Sequence, residues 1–192
     1  MSTVDDVLKT VGEKCTLIRA GGNIETHFYT SPKGGWTNRA PYERESMMPT
    51  DSGVVEGDLV QHLSNHYLVV ALFEDRRVGE FFYYKARLYK CNSVVTTRVL
   101  NPTTKLFEDS QASVNCLIIA ATSMVPEDMA LLLSQYNGRD NLFVCLTQDS
   151  VGLKENDTIV DIAGRQFRVT NDIDPYFASG ITKTAIKLEQ NA

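Results

Sequence analysis

The sequence predicts a mainly β chain made of two tandem small β-barrel or β-sandwich units with short helices. Three features carry that expectation. Short β-branched and aromatic runs alternate with turn clusters along most of the chain. Helical spacing is confined to two brief stretches. The phrase GVVEGDLV at 53–60 returns as GLKENDTIV at 152–160, with further matches in the same order on either side.

In VDDVLKTV, Val4, Leu8 and Val11 lie at helical spacing, with Ser2 or Thr3 available to cap and Asp5 and Asp6 in the favoured first turn. Gly12 ends that helix. CTLIR at 15–19 reads as a strand, a Gly21-Gly22 turn follows, and 24–29 is a second strand. Residues 31–50 differ in kind. Pro32, Gly34, Gly35, Pro41 and Pro49, with charges between them, predict a long excursion rather than a regular element, and such loops are usually functional or disordered.

Segments 58–63 and 67–73 bracket a hairpin turn at Ser64-Asn65-His66. A turn over 75–79 leads into the aromatic strand EFFYYKARLYKC at 80–91, where Tyr84, Ala86, Leu88 and Lys90 share one face and Lys85, Arg87 and Tyr89 the other. The β-branched run at 94–100 adds a strand, and Asn101-Pro102-Thr103-Thr104 reads as a linker. Beyond it, 114–121 is a strand, and Val125-Pro126-Glu127-Asp128 opens a helix to Gln135 with proline and two acids where a helix N-terminus favours them. Asn137-Gly138 stops that helix. A strand at 142–147, a hairpin of 158–162 and 166–170 about Ala163-Gly164-Arg165, and a strand at 182–188 complete the chain.

The repeated phrase extends beyond eight residues. Leu17-Ile18 matches Leu117-Ile118, Gly53 matches Gly152, Glu56-Gly57-Asp58 matches Glu155-Asn156-Asp157, and Val69 matches Val169, at offsets of 100, 99, 99 and 100. This order and spacing predict a tandem duplication, residues 1–106 forming the first unit, with its excursion at 31–50, and residues 107–192 the second. Gly53, Gly57, Asp58, Gly152, Asn156 and Asp157 are the turn-defining residues. The aspartates fix each turn by local backbone hydrogen bonds, while Gly57 and Asn156 tolerate positive φ.

Composition narrows the function by exclusion. At 43% hydrophobic and 22% charged residues, the 192-residue chain belongs with globular proteins, not disordered or collagenous ones. Apolar runs such as CLIIAA at 116–121 are far short of the roughly 18–20 residues of a membrane-spanning helix. MSTVDDVLKTVGEKC lacks the basic start and apolar block of a secretory signal, which predicts retention in a cytoplasm. Cys15, Cys91, Cys116 and Cys145 lie far apart with no CxxC, so a zinc ribbon is disfavoured, and Cys116 and Cys145, in the apolar runs NCLII and LFVCL, are expected to be buried reduced thiols. Residues 1–106 hold 13 basic and 12 acidic side chains, and residues 107–192 hold 6 and 12, net +1 and −6. Neither half has the excess of Lys and Arg that binding a phosphate backbone requires.

Motif by motif, catalytic chemistry finds no footing. His62 and His66 form H-x-x-x-H, but in a strand-turn-strand context without the glutamate of a metalloprotease helix, so half-buried histidines are the simpler reading. GxSxG is absent, Lys33-Gly34-Gly35 has neither the spacing nor the hydroxyl of a P-loop, and no cysteine has an evident histidine partner. The pairs Glu43/Glu45 and Asp172/Asp174 read as solvated loop charge rather than as a ligand set. Phe81-Phe82-Tyr83-Tyr84 with Lys85 and Arg87 suits either a barrel core or a single-strand stacking platform of an OB-like module. No catalytic residue, metal ligand or cofactor site is predicted, and no enzyme. Gly34, Gly35, Trp36 and Tyr42, in and beside the Gly-rich excursion, are the candidate partner contacts, Trp36 being the natural aromatic anchor.

VGLKENDTIVDIAGRQFRV resembles the "G-l-x-x-G-D-x-i/v-x-x-x-G-x-x-y-x-V" phrase of neck and head-closure (head–tail connector) proteins of tailed phages. CTLIR and DSGVVEGDLV in the first half resemble the same family, although Asn156 stands where that phrase has glycine. The resemblance implies a structural virion protein of the neck or tail, assembled in the host cytoplasm as a homo-oligomeric ring between the portal or adaptor and the tail proteins. DNA would pass through its lumen without specific binding. A tail-terminator, tail-completion or baseplate protein is the alternative within that class. Portal rings are twelve-fold in such phages, and the unequal charge of the two halves favours two stacked tiers of barrels over six chains presenting twelve similar ones.

Overall fold

The structure is a computed structural model that describes residues 4–19, 21–30, 42–77, 80–101, 103–120 and 142–189. The chain divides into two compact units, Met1–Lys90 with Ala178–Ile181, and Cys91–Phe177 with Thr182–Ala192. Each contains one closed, six-stranded antiparallel barrel.

The first unit opens with α1 (Val4–Val11), which buries Leu8. Its Asp5 carboxylate accepts hydrogen bonds from the Thr50 amide (2.9 Å) and hydroxyl. The strands β1 (Glu13–Ile18), β2 (Ile24–Thr30), β3 (Glu43–Met48), β4 (Leu59–His62), β5 (Asn65–Arg77) and β6 (Glu80–Lys90) follow. Around the barrel they run β1-β2-β3-β6-β5-β4, and β4 returns to β1 through Thr16↔Gln61, Leu17↔Val60 and Ile18↔Leu59. Closure leaves no unpaired sheet edge. Alternation chooses the inward side chains: Cys15 and Leu17 of β1, Phe28 of β2, Val60 of β4, Val69 of β5, and Ala86 and Leu88 of β6 form the core with Met48 and Val54. Register shifts in the β5–β6 ladder at Val69/Ala71 and Asp75/Arg76 bend the longest pair of strands.

The second barrel is built from β7 (Ser93–Leu100), β8 (Phe107–Ala120), β9 (Leu142–Gln148), β10 (Thr158–Val160), β11 (Gln166–Ala178) and β12 (Ile181–Leu188), with a 3-10 turn at Asp149–Val151. Their order is β10-β11-β12-β9-β8-β7, closed by β7 against β10. Read from β7, this is the first barrel's circuit with every strand advanced by six. Val95, Cys116, Ile118, Cys145, Leu153, Ile159, Phe167, Val169 and Ile186 fill the core. In β12 every residue from Ile181 to Ile186 is buried, on both faces of the strand.

Three expectations need correction. The units divide after Lys90, not after Leu106, because β7 pairs with β8 and β10 of the second barrel. Leu17-Ile18 and Leu117-Ile118 are not equivalent: they lie on β1 and β8, whereas the shared circuit equates β1 with β7. Leu17 is in its barrel's core, while in the second barrel Cys116 and Ile118, on the opposite face from Leu117, point inward. Finally, residues 31–50 are not irregular throughout, since Glu43–Met48 forms β3 between β2 and β6. Alternating burial of Ser46 and Met48 carries that strand despite its charges and the flanking prolines. The helix expected at 125–135 and residues 31–41 lie outside the described residues.

Candidate functional site

The most repeated local structure is the turn that feeds β4 and β10. Gly53 and Gly152 adopt φ 66° and 62°, and Gly57 and Asn156 adopt 87° and 69°, the left-handed region where glycine and asparagine are best tolerated. Val54 and Leu153 plug their respective cores from this turn. The Asp58 carboxylate accepts the Val55 amide at 2.8 Å, and Asp157 accepts the Lys154 amide at 2.8 Å. The Gly57 and Asn156 amides donate to the carbonyls of Val69 and Val169, both at 2.9 Å. The amides of Val69 and Val169 return hydrogen bonds to the carbonyls of Asp58 and Asp157, at 2.9 and 2.8 Å. Asp58 has a further partner. Arg19 donates to it through Nε and Nη2 and reaches the Gly53 carbonyl at 2.5 Å. That contact raises the Arg19 pKa, chiefly through the hydrogen bonds to Asp58.

At the far end of each strand sits a second repeated feature. The β4–β5 hairpin turns through Leu63 and Ser64, and the β10–β11 hairpin through Ile162, Ala163 and Gly164. Leu63 and Ile162, separated by the same offset of 99 as the turn residues, are each 79% exposed. Leu63 holds φ 52°. Beside it lies an open groove of about 450 Å³ lined by Lys14, Thr16, Glu25, His27, Gln61 and Leu63 among others.

The remaining ionisable groups of note are held in pairs. Glu43, on β3, meets Arg87 at 2.8 Å, and Glu45 meets Lys85 at 4.0 Å, so these carboxylates are strand ion pairs and not loop charge. Asp172 and Asp174 likewise fall on a strand, β11. Asp161 accepts the amides of Ala163 and Arg165, both at 2.9 Å, and the Arg165 guanidinium at 2.7–2.8 Å. His62 contacts Glu13 at 2.6 Å and stacks edge-on against Phe28, while burial lowers the His66 pKa. Burial pushes the Cys15 thiol up to about 12 and raises Cys91. Cys116 is raised through its hydrogen bond with Cys145, with burial adding to the shift. These thiols are protonated and shielded, which disfavours nucleophilic use. Among the described residues no cluster of three or more His, Cys, Asp or Glu side chains could hold a metal ion.

Of the four candidate partner contacts, Gly34, Gly35 and Trp36 lie outside the described residues. Tyr42 is half-buried, its ring edge-on to Tyr89 with centroids 5.1 Å apart and its carbonyl accepting the Lys90 amide at 2.7 Å. It is built into the rim of the first barrel. In the aromatic strand, Tyr83 is buried and bonds Asp75 at 2.8 Å, and Tyr84 packs against the core. Reasoning from sequence missed the exposed tips, the groove and the Arg19–Asp58 pair. The tips alone carried a signal, an apolar residue at the same position of both copies. No protein-family model, curated protein or solved structure matches the chain.

Proposed function

We propose that this chain is a structural virion protein, a ring-forming component of a tailed-phage neck that joins the portal or adaptor to the tail. The observation that supports an assembly role is the repeated unit itself. Each closed barrel carries the same aspartate-fixed turn and the same exposed apolar hairpin tip, while buried aspartates and a buried glutamate are occupied by arginines and backbone amides. Closed barrels keep their strands from edge pairing, so such a protein associates through tips and loops. The neck assignment rests on the resemblance of the turn-strand phrases in both halves.

No helix among the described residues is long and apolar enough to cross a membrane. The net charge of −5 suits a channel wall past which DNA slides without adhering. Native mass spectrometry of the full chain, alone and with the portal and adaptor rings of its phage, tests the reading. Ring-sized assemblies or stoichiometric capture by those rings are expected. A chain that stays monomeric beside all of them overturns it.

A further inference from the structure

Ser46 and Thr182 show how a buried hydroxyl is satisfied in this chain: Ser46 donates to the Tyr29 carbonyl at 3.3 Å, and Thr182 donates to Asp149 at 2.7 Å. Thr147 on β9 and Thr184 on β12 differ. They are 1% and 0% exposed, and neither hydroxyl has a hydrogen-bond partner among the described residues. Both face the interior of the second barrel, because Thr147 lies two residues beyond Cys145 and Thr184 two before Ile186, and Cys145 and Ile186 belong to its core. The two strands are neighbours, and the bond from Thr182 to Asp149 shows how they align. Two steps along each antiparallel strand from that bond bring Thr147 opposite Thr184, a pairing in which Cβ atoms lie about 4.5–5.5 Å apart. The β8–β9 ladder, continued one step from Leu117↔Leu146, places Cys116 opposite Thr147, and Ser93↔Cys116 extends the row to β7. Four consecutive strands thus contribute one interior tier, Ser93, Cys116, Thr147 and Thr184, every side chain small and every one carrying a polar or polarisable atom.

The shared circuit does not demand this tier. In the first barrel β3 and β6 occupy the places of β9 and β12, and they bring Met48 and Ala86 into the core. Shape does not demand it either, since valine has the branched form of threonine and no hydroxyl to desolvate. The neighbouring tier of Ile118, Cys145 and Ile186 is bulkier, so the walls stand further apart where the threonines face the interior. Buried polar groups that lack a protein partner are the usual hosts of internal water. We propose that the second barrel binds an ordered water molecule at this tier, held between the hydroxyls of Thr147 and Thr184 with Cys116 Sγ as its third contact. Each hydroxyl donates one hydrogen bond and accepts others, so a single bridging water satisfies both. The Cys116 Sγ donates to the Ser93 carbonyl at 3.7 Å, which leaves its lone pairs as weak acceptors for the water. Two hydroxyls and a sulfur match the two to four partners that hold a buried water.

Thr147→Val and Thr184→Val, made singly and together in the full chain, test this site, because a bridged hydroxyl and an unpartnered one respond with opposite signs. With the water in place, each single substitution removes one of its hydrogen bonds. The opening equilibrium read by hydrogen exchange on β9 and β12 should then become about fivefold more favourable. Replacing an unpartnered hydroxyl with a methyl group should make opening less favourable instead. The second measurement needs no variant. Water-selective nuclear Overhauser spectra of the methyl-labelled wild-type chain should show a long-lived water beside the Thr147 and Thr184 methyl groups. That signal should persist at Thr147 in Thr184→Ser, which keeps the hydroxyl, and disappear from this tier in the double valine variant. Single valine variants as stable as wild type or more so, or wild-type threonine methyls without a water contact, overturn the proposal. Strong coupling between the two substitutions without any water signal overturns it as well, by showing that the hydroxyls bond each other directly.

Discussion

Replacing Asp58 and Asp157 with alanine, one at a time, should separate two turns that look alike in sequence. The Asp58 side chain is only 2% exposed, accepts the Val55 amide at 2.8 Å and takes two donors from Arg19, whose side chain is 25% exposed. Asp157 is half-buried, and its carboxylate accepts the Lys154 amide at 2.8 Å. Removing one member of a buried ion pair costs about 3–5 kcal/mol, and partial hydration of Arg19 sets Asp58→Ala at the lower end, about 3 kcal/mol. Losing one turn hydrogen bond costs about 1 kcal/mol for Asp157→Ala. Hydrogen exchange read by mass spectrometry on the β4–β5 and β10–β11 hairpins resolves the two. Protection should fall roughly a hundredfold in the first and about fivefold in the second. Arg19→Ala and the double variant complete the cycle, which should show strong coupling between Arg19 and Asp58. Equal losses in both hairpins, or additive effects of Arg19 and Asp58, would refute the account of the buried pair.

Phe167→Ala should remove a fully buried ring that meets Phe143 edge-on at 5.4 Å and cost about 3–5 kcal/mol, splitting the thermal melt so that the second unit unfolds first; an unsplit, unshifted melt contradicts this. Burial lowers the His66 pKa below its usual 6.5, so between those two values the unfolded chain binds more protons and stability rises with pH, a gain lost again on acidification. His66→Gln should flatten that part of the melting-temperature profile, and an unchanged slope assigns it to other groups. Cys15, with its thiol pushed up to about 12, and the buried Cys116 and Cys145 should resist alkylation near pH 8 until denaturant is added, as counted by intact mass; rapid native labelling of all three would contradict the packing.

Most of the fold was legible because it is written in short-range signals. Alternation located the strands, α1 falls on the residues that helical spacing indicated, and the Gly-x-x-Glu-Gly/Asn-Asp phrase marked both turns. What stayed hidden depends on contacts distant in sequence. Glu43–Met48 reads as charged loop until Ala86, Arg87 and Leu88 of β6 are placed against it. Leu117 matches Leu17 in letters only, because strand pairing rather than spacing decides equivalence. Arg19 gives no hint of Asp58, 39 residues away. The candidate site was the least legible part. Leu63 and Ile162 look like ordinary strand ends until burial shows each to be 79% exposed.

The revised boundary changes the expected number of copies in a ring. With the division at Lys90, residues 1–90 hold 11 basic and 12 acidic side chains and residues 91–192 hold 8 and 12, net −1 and −4; Ala178–Ile181 carries no charge. The units therefore differ by 3 charges and share a sign, where the earlier division at Leu106 separated +1 from −6. Most of the electrostatic case for two stacked tiers came from Arg98 and Lys105, which belong to the second unit. Identical strand circuits and matching tips now favour quasi-equivalent barrels. On the proposed neck role, six chains would supply twelve similar barrels to a twelve-fold portal. Native mass of the ring should correspond to six copies of the 21.4 kDa chain, and cryo-electron microscopy of the neck should place both barrels at one height. Twelve copies with the two barrels in separate tiers would restore the stacked arrangement and show that the shared circuit was retained for folding alone.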